Sequence, residues 1–293
     1  MTKFEDLGLR PEILTAIAEL GYENPMPVQE QVIPFMLEQS GDLVALAQTG
    51  TGKTAAFGLP LLTLIKPEEK KIQALILSPT RELCIQIAKD LKNYSRLQKG
   101  VKVVPVYGGE SIMVQFRQLD IAPQILVATP GRLIDLIERG KVKLSDVRYL
   151  VLDEADEMLR MGFIDDVEWV IEQCPHDRQI ALFSATMPDV IRRVAHRHLQ
   201  TPAEVRIASK TSTASTVRQR YWLVSGLHKL DAMTRLLEVE PYDALLAFVR
   251  TKTAAEELTS KLAARGHACE ALHGDIPQKL RERTVDKLRQ DRK

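Results

Sequence analysis

Between residues 43 and 207, short apolar runs alternate with stretches whose apolar positions recur every three or four residues. The runs 43–47, 74–78, 102–106, 124–128, 148–152, 179–184 and 204–207 predict strands, most of them buried on both faces. Segments between them predict helices; 82–94 carries Leu83, Ile87, Leu91 and Tyr94 on one face. The alternation predicts an α/β fold with a parallel, doubly wound sheet. Ligands of such sheets lie at the carboxyl ends of the strands, so chemistry is expected in the loops leaving the runs. Upstream, residues 1–40 read as mostly helical. They are interrupted by Gly21-Tyr22-Glu23-Asn24-Pro25-Met26-Pro27, whose two prolines predict a rigid, extended turn.

Downstream, residues 208–217 have no hydrophobic period and are rich in serine and threonine, the composition of a flexible linker. A second unit over 218–293 repeats the alternation on a smaller scale. Strands are predicted at 221–224, 244–249 and 269–272, with helices after each. About 75 residues and three strands are thin for a doubly wound domain, because parallel strands need cover and neighbours.

The first run ends in Ala47-Gln48-Thr49-Gly50-Thr51-Gly52-Lys53-Thr54. A glycine-rich loop between a strand and a helix offers backbone N–H groups to a phosphate chain, and the helix N-terminus adds positive potential. In such a loop Lys53 reaches the terminal phosphates and the Thr54 hydroxyl ligates magnesium. Ala47 departs from the general pattern, which has glycine there. The complementary half follows the fifth run: Asp153 is placed to hold magnesium and Glu154 to orient and deprotonate an attacking water. Upstream of the loop, Tyr22 can offer a flat face to a base and Gln29 an amide to an adenine edge. A surface tyrosine and a helix-start glutamine explain the same residues.

Other strand exits carry Pro79-Thr80-Arg81, Gly108-Gly109, Thr129-Pro130-Gly131-Arg132 and Ser184-Ala185-Thr186. The hydroxyl residues can simply cap the helices that follow, and the glycines can simply turn. Capping does not explain Arg81 and Arg132, cations in a first helical turn against the helix dipole. That placement points to an anion such as a nucleic-acid backbone.

Composition changes this picture little. Apolar residues make up 45% and charged residues 27% of the 293, as in soluble globular proteins. No apolar run has the length of a membrane span. Cys84, Cys174 and Cys269 are distant and odd in number, which argues for free thiols in a reducing cytoplasm. A net charge of +1 leaves any nucleic-acid binding to local groups.

Together these motifs resemble the DEAD-box ATP-dependent RNA helicases, most of all the bacterial cold-shock and ribosome-assembly members. The resemblance runs through nearly the whole chain. Phe4 and the Gly21–Gln29 stretch resemble the family's adenine-reading Q motif. Ala47–Thr54 matches its phosphate loop, alanine included, and Asp153-Glu154-Ala155-Asp156 spells the family name. Pro79–Leu83, Gly108-Gly109 and Thr129–Arg132 match RNA-binding motifs. Ser184–Thr186 matches the segment that, with Asp156, couples ATP to RNA. Phe248-Val249-Arg250-Thr251 and Asp275–Arg281, with Gln278 and Arg281, resemble second-lobe RNA motifs.

The resemblance implies a RecA-like ATP-binding domain over 1–207, a linker and a partial second RecA-like domain, with ATP and Mg2+ as cofactors. It implies RNA as partner, bound with little sequence preference, and adenine contacts by Tyr22 and Gln29. Met26 stands where the family has threonine or serine. The Ala-Arg-Gly-Leu-Asp-type and His-Arg-x-Gly-Arg-x-x-Arg-type segments lie beyond Lys293, so the expectation is a chain that binds ATP but hydrolyses it and unwinds RNA poorly. An incomplete lobe is also expected to expose apolar surface and invite self-association. Rival expectations are an ATP-dependent RNA clamp that does not unwind, and a DNA translocase.

Overall fold

All seven runs between 43 and 207 pair into one parallel sheet in the computed structural model of the chain. The strands are β1 (Leu43–Leu46), β2 (Ala74–Leu77), β3 (Val103–Val106), β4 (Ile125–Ala128), β5 (Tyr149–Leu152), β6 (Gln179–Ser184) and β7 (Ala203–Arg206), in the order β3-β4-β2-β5-β6-β1-β7. The structure describes residues 2–38, 41–207, 217–225 and 228–290. The chain divides into the units Met1–Ser212 and Thr213–Lys293.

Successive side chains of a strand point to opposite faces. Ala45, Ala74, Ile76 and Val151 therefore enter one core, and Val44, Leu75, Leu77, Leu150 and Leu152 the other. Over the first face lie a 3-10 turn (Phe4–Leu7), α1 (Pro11–Glu19), α2 (Pro27–Glu38), α3 (Lys53–Leu64) and α4 (Arg81–Tyr94). Over the second lie α5 (Ile112–Leu119), α6 (Pro130–Glu138), α7 (Ala155–Arg160), α8 (Ile164–Glu172) and α9 (Asp189–His198). Covering both faces is what makes continuous apolar strands stable here. Because every pair is parallel, the loops after β1 to β6 all emerge along one edge of the sheet.

The second unit contains α10 (Lys229–Val239), α11 (Lys252–Ala263) and α12 (Gln278–Gln290). The strands predicted at 221–224, 244–249 and 269–272 do not form: these segments belong to no ladder among the described residues. An apolar run makes a strand possible, but a strand exists only where a neighbour accepts its N–H and C=O groups. Leu262 alone among this unit's described residues is buried, and Phe248 is 93% exposed. The expected linker at 208–217 lies outside the described residues, save an exposed Val217. No helix among the described residues is long and apolar enough to cross a membrane.

Candidate functional site

The pairing of β1 continues one residue past its end, where the Ala47 amide donates to the Ser184 carbonyl at 3.0 Å. Ala47 is buried in the core, with no positive φ, so alanine suits the position. The turn comes later. Gly50 and Gly52 have φ of 83° and 84°, in the left-handed region that favours glycine. A Cβ on Gly52 would also strike the Gln29 amide and come 2.7 Å from Met26 Sδ. The Thr51 hydroxyl donates to the Gln48 carbonyl at 2.7 Å and folds the loop back on itself, with Gln48, Thr49 and Gly50 exposed. The loop delivers Lys53 and Thr54 as the first residues of α3, whose first turn carries no acidic residue to offset the dipole.

Lys53 is buried, and its ammonium has no hydrogen-bond partner. It stands 3.9 Å from Asp153 Oδ1, too far for a hydrogen bond. Asp153 is buried at the end of β5. Burial pushes its carboxyl up to about 6, against the pull of Lys53 and with help from the neighbouring Glu154 charge. Its Oδ1 accepts from the Glu154 amide at 3.0 Å. Glu154 adopts φ 53°, ψ 52°, a left-handed conformation that costs a non-glycine residue about 1–3 kcal/mol. Lys53, Thr54, Gly52, Asp153 and Glu154 line one cavity of about 330 Å³. A buried cation without a hydrogen bond, a carboxyl held above its usual range and a run of loop amides fit an anion with a divalent ion. Among the described residues no group of three or more His, Cys, Asp or Glu could cage a metal alone. The Thr54 and Asp153 oxygens that line the cavity fit magnesium, which is held by one or two protein oxygens together with phosphate oxygens.

The same cavity reaches Tyr22 and Met26. Phe4 does not line it. Phe4 is 3% exposed and meets the Tyr22 ring edge-on, so it supports Tyr22 and does not itself face the cavity. Gln29, also buried, uses both ends of its amide: Oε1 accepts from the Met26 amide at 2.9 Å, and Nε2 donates to the Gly52 carbonyl at 3.1 Å. It staples the proline-bounded turn to the phosphate loop.

The exits of β2, β3 and β4 come together. Pro79 is buried, and Thr80 caps α4 by accepting from the Leu83 amide at 3.2 Å. The Arg81 guanidinium lies against Gly109, where any Cβ would collide with it. Gly109 has φ of 87°, in the left-handed region that favours glycine, while the guanidinium tip is the end of a flexible side chain that can move aside. Gly108 precedes it in the same turn. Thr129 precedes α6 without a side-chain cap, followed by Pro130 and an exposed Gly131. Arg132 corrects the argument from the helix dipole. Its guanidinium donates to the Glu110 carbonyl at 3.1 Å through both terminal nitrogens, and to Gln115 Oε1 at 3.0 Å. A carbonyl and an amide, not an external anion, explain its position in this state. Gln115, fully buried, donates in turn to the Tyr107 carbonyl at 2.8 Å. Sequence reasoning missed Gln115, yet a signal existed. It is the polar member of the stripe Ile112, Gln115, Phe116 and Leu119.

Asp156 and the exit of β6 form a closed network. Asp156 Oδ2 accepts from the Thr186 amide at 3.0 Å and the Thr186 hydroxyl at 2.8 Å. Ser184 Oγ accepts from the Asp156 amide at 3.3 Å and donates to the Thr186 carbonyl at 2.6 Å. Burial works to raise the Asp156 carboxyl, but these hydrogen bonds outweigh it and hold the group below the usual carboxylate range.

In the second unit, Phe248 and Arg250 are exposed, and Thr251 caps α11 by accepting from the Ala254 amide at 3.1 Å. Gln278 and Arg281 begin α12, with Gln278 Nε2 donating to Glu282 at 2.9 Å.

Residues 26–194 match the family model described as DEAD/DEAH box helicase, more than half of the chain. The chain belongs to that family. Residues 228–293 of this DEAD/DEAH box helicase relative match the helicase conserved C-terminal domain. It is 50% identical over 291 residues to the ATP-dependent RNA helicase DeaD of Escherichia coli, covering 99% of its own length and 46% of DeaD. It is 49% identical over 286 residues to DeaD of Mycobacterium tuberculosis, covering 98% and 50%. It thus spans about half the length of the curated relatives it matches. Among solved structures it is similar to a DEAD box protein from Methanococcus jannaschii (38% identity, TM-score 0.69, covering 99% of this chain and 78% of that one). It is also similar to Saccharomyces cerevisiae Dbp5 bound to RNA and ADP BeF3 (31% identity, TM-score 0.86, covering 100% and 74%).

Proposed function

We propose that this chain is the ATP-handling part of an RNA-stimulated ATPase that separates short RNA duplexes. One observation carries the reading: the Lys53 ammonium is buried without a hydrogen-bond partner, facing Asp153 in a cavity lined by loop and helix N-terminus. The naming of the DeaD relatives as ATP-dependent RNA helicases supports the same reading.

In this proposal Lys53 and the amides of residues 48–54 hold the phosphates. Thr54 and Asp153 hold Mg2+, which neutralises phosphate charge. Glu154 takes the proton of the attacking water. Tyr22 faces the adenine with Phe4 behind it, and Gln29, whose amide is held by Met26 and Gly52, fixes the turn beside it against the loop. RNA is held through its backbone by the loops of Pro79–Arg81, Gly108-Gly109 and Thr129–Arg132, and in the second unit by Phe248, Arg250, Thr251, Gln278 and Arg281. Asp156, Ser184 and Thr186 couple the two ligands. Domain limits at 1–207 and 218–293 remain part of the proposal.

No His-Arg-x-Gly-Arg-x-x-Arg stretch occurs in the 293 residues. An arginine finger is worth roughly 10³–10⁵ in rate in related phosphate-loop enzymes. The 1–293 polypeptide therefore binds ATP but turns it over slowly compared with a chain carrying a complete second lobe. Equal turnover by the two would reject that part. In the longer chain, Lys53→Ala abolishes RNA-stimulated hydrolysis; a wild-type rate in that variant would reject the assignment. Duplex displacement separates unwinding from mere clamping. The exposed Leu223, Leu246 and Phe248 support self-association of the 1–293 polypeptide, which light scattering tests.

A further inference from the structure

Besides the phosphate loop and the acidic pair, the cavity is lined by Tyr22, Met26, Leu83, Asp90 and Tyr94. Tyr94 is the last residue of α4, 4% exposed, and reads from sequence as core packing. Its hydroxyl lies 2.8 Å from the Tyr22 hydroxyl, and the two rings meet edge-on at 5.9 Å and 84°. The Phe4 ring meets Tyr22 at 6.1 Å and 63°. Tyr22 itself sits on the turn between α1 and α2, its backbone fixed by an amide that donates to the Ile17 carbonyl at 3.0 Å. The ring's orientation is set from outside, by one ring from the N-terminal 3-10 turn and by one ring and one hydroxyl from α4. Burial pushes the Tyr94 hydroxyl up from its ordinary value, so it stays a neutral hydrogen-bonding group at physiological pH.

Stacking on a base needs a flat face left open and edges that do not move. We propose that Tyr94 is a positioning residue for base recognition, its hydroxyl and ring holding Tyr22 at the angle at which a purine stacks. This rests on reading the cavity as a nucleotide site. A tyrosine present only to fill the core would serve equally well as phenylalanine; a positioning tyrosine would not. The hydroxyl bond acts on the base and leaves the phosphate cradle untouched.

The test is calorimetric titration of the 1–293 chain, as wild type, Tyr94→Phe, Tyr22→Phe and the double variant, with ADP and separately with tripolyphosphate. Each single variant should bind ADP about threefold more weakly, the low end of the cost of ordering on binding a side chain that the lost bond no longer holds. The double variant should lose no more than either single one, since all three remove the same bond. Tripolyphosphate affinity should not change. No loss for ADP, additive losses, or an equal loss for both ligands would overturn the proposal. Failure of the wild type to bind ADP would overturn the site reading, and this inference with it.

Discussion

Two segments of similar composition have opposite fates. Tyr149-Leu150-Val151-Leu152 lies between two neighbours in the sheet, wholly buried. Ala244-Leu245-Leu246-Ala247-Phe248-Val249 is at least as apolar, yet it is unpaired and mostly exposed. Both satisfy the local requirement for a buried strand. Only the first has partners on both edges and helices over both faces. A hydrophobic run therefore states what a segment can become, and the partners around it decide whether it does. The site follows the same division. Most of the first unit's candidate residues stand on loops leaving a fully paired sheet, whereas Phe248 and Arg250 lie in and just after an unpaired segment.

Amide hydrogen exchange probes this contrast most strongly. Amides of Ile76, Val151 and Leu182 should exchange only through global opening, with protection of about 10⁴-fold or more, and those of 245–249 almost freely. Comparable protection in both would abolish the contrast. Next in size is Glu154→Gln, which should lower single-turnover ATP hydrolysis by roughly 10²–10⁴-fold, the worth of a general base, with ADP affinity little altered. Arg250→Ala should change the same rate less than tenfold. A larger loss for Arg250 would move the weight of the chemistry to the second unit. Third, Phe183 is fully buried, 5.2 Å from the Phe57 ring. Phe183→Ala should cost about 3–5 kcal/mol in urea unfolding, and Phe248→Ala no more than about 0.5 kcal/mol.

The smallest effect concerns Asp156. Its carboxyl is held below the usual range, so its contribution is present above the unfolded carboxylate pKa and is lost as pH falls through the depressed folded value. Asp156→Asn should cost about 2 kcal/mol at neutral pH, the scale of hydrogen bonds to a charged group. The gap to wild type should narrow on acidification. A gap unchanged between pH 7 and acid would mean that the carboxylate charge does nothing there.

Much of the site was legible because its chemistry is local. The glycines at 50 and 52 answer a turn, Lys53 and Thr54 follow directly, and Asp153-Glu154 ends an apolar run. Short continuous apolar runs between helical stripes gave away all seven strands of the first unit for the same reason, since neighbouring residues carry the signal. What stayed hidden depends on residues far apart in sequence. Tyr22 and Tyr94 are 72 residues apart, and Arg132 meets the Glu110 carbonyl across 22. The left-handed backbone of Glu154 also has no local signature, because side chains avoid that region unless their surroundings impose it.

By itself the sequence determined which segments were able to be strands, where the phosphate loop lies and which family the motifs resemble. Each of these is written in spacing along one stretch of chain. Tertiary structure alone decided that 244–249 stays unpaired, that Arg132 holds a carbonyl, and that Phe4 and Tyr94 brace Tyr22. The physical reason is that hydrogen-bond partners and ring edges must meet in space, and a distance in space is not a distance in sequence.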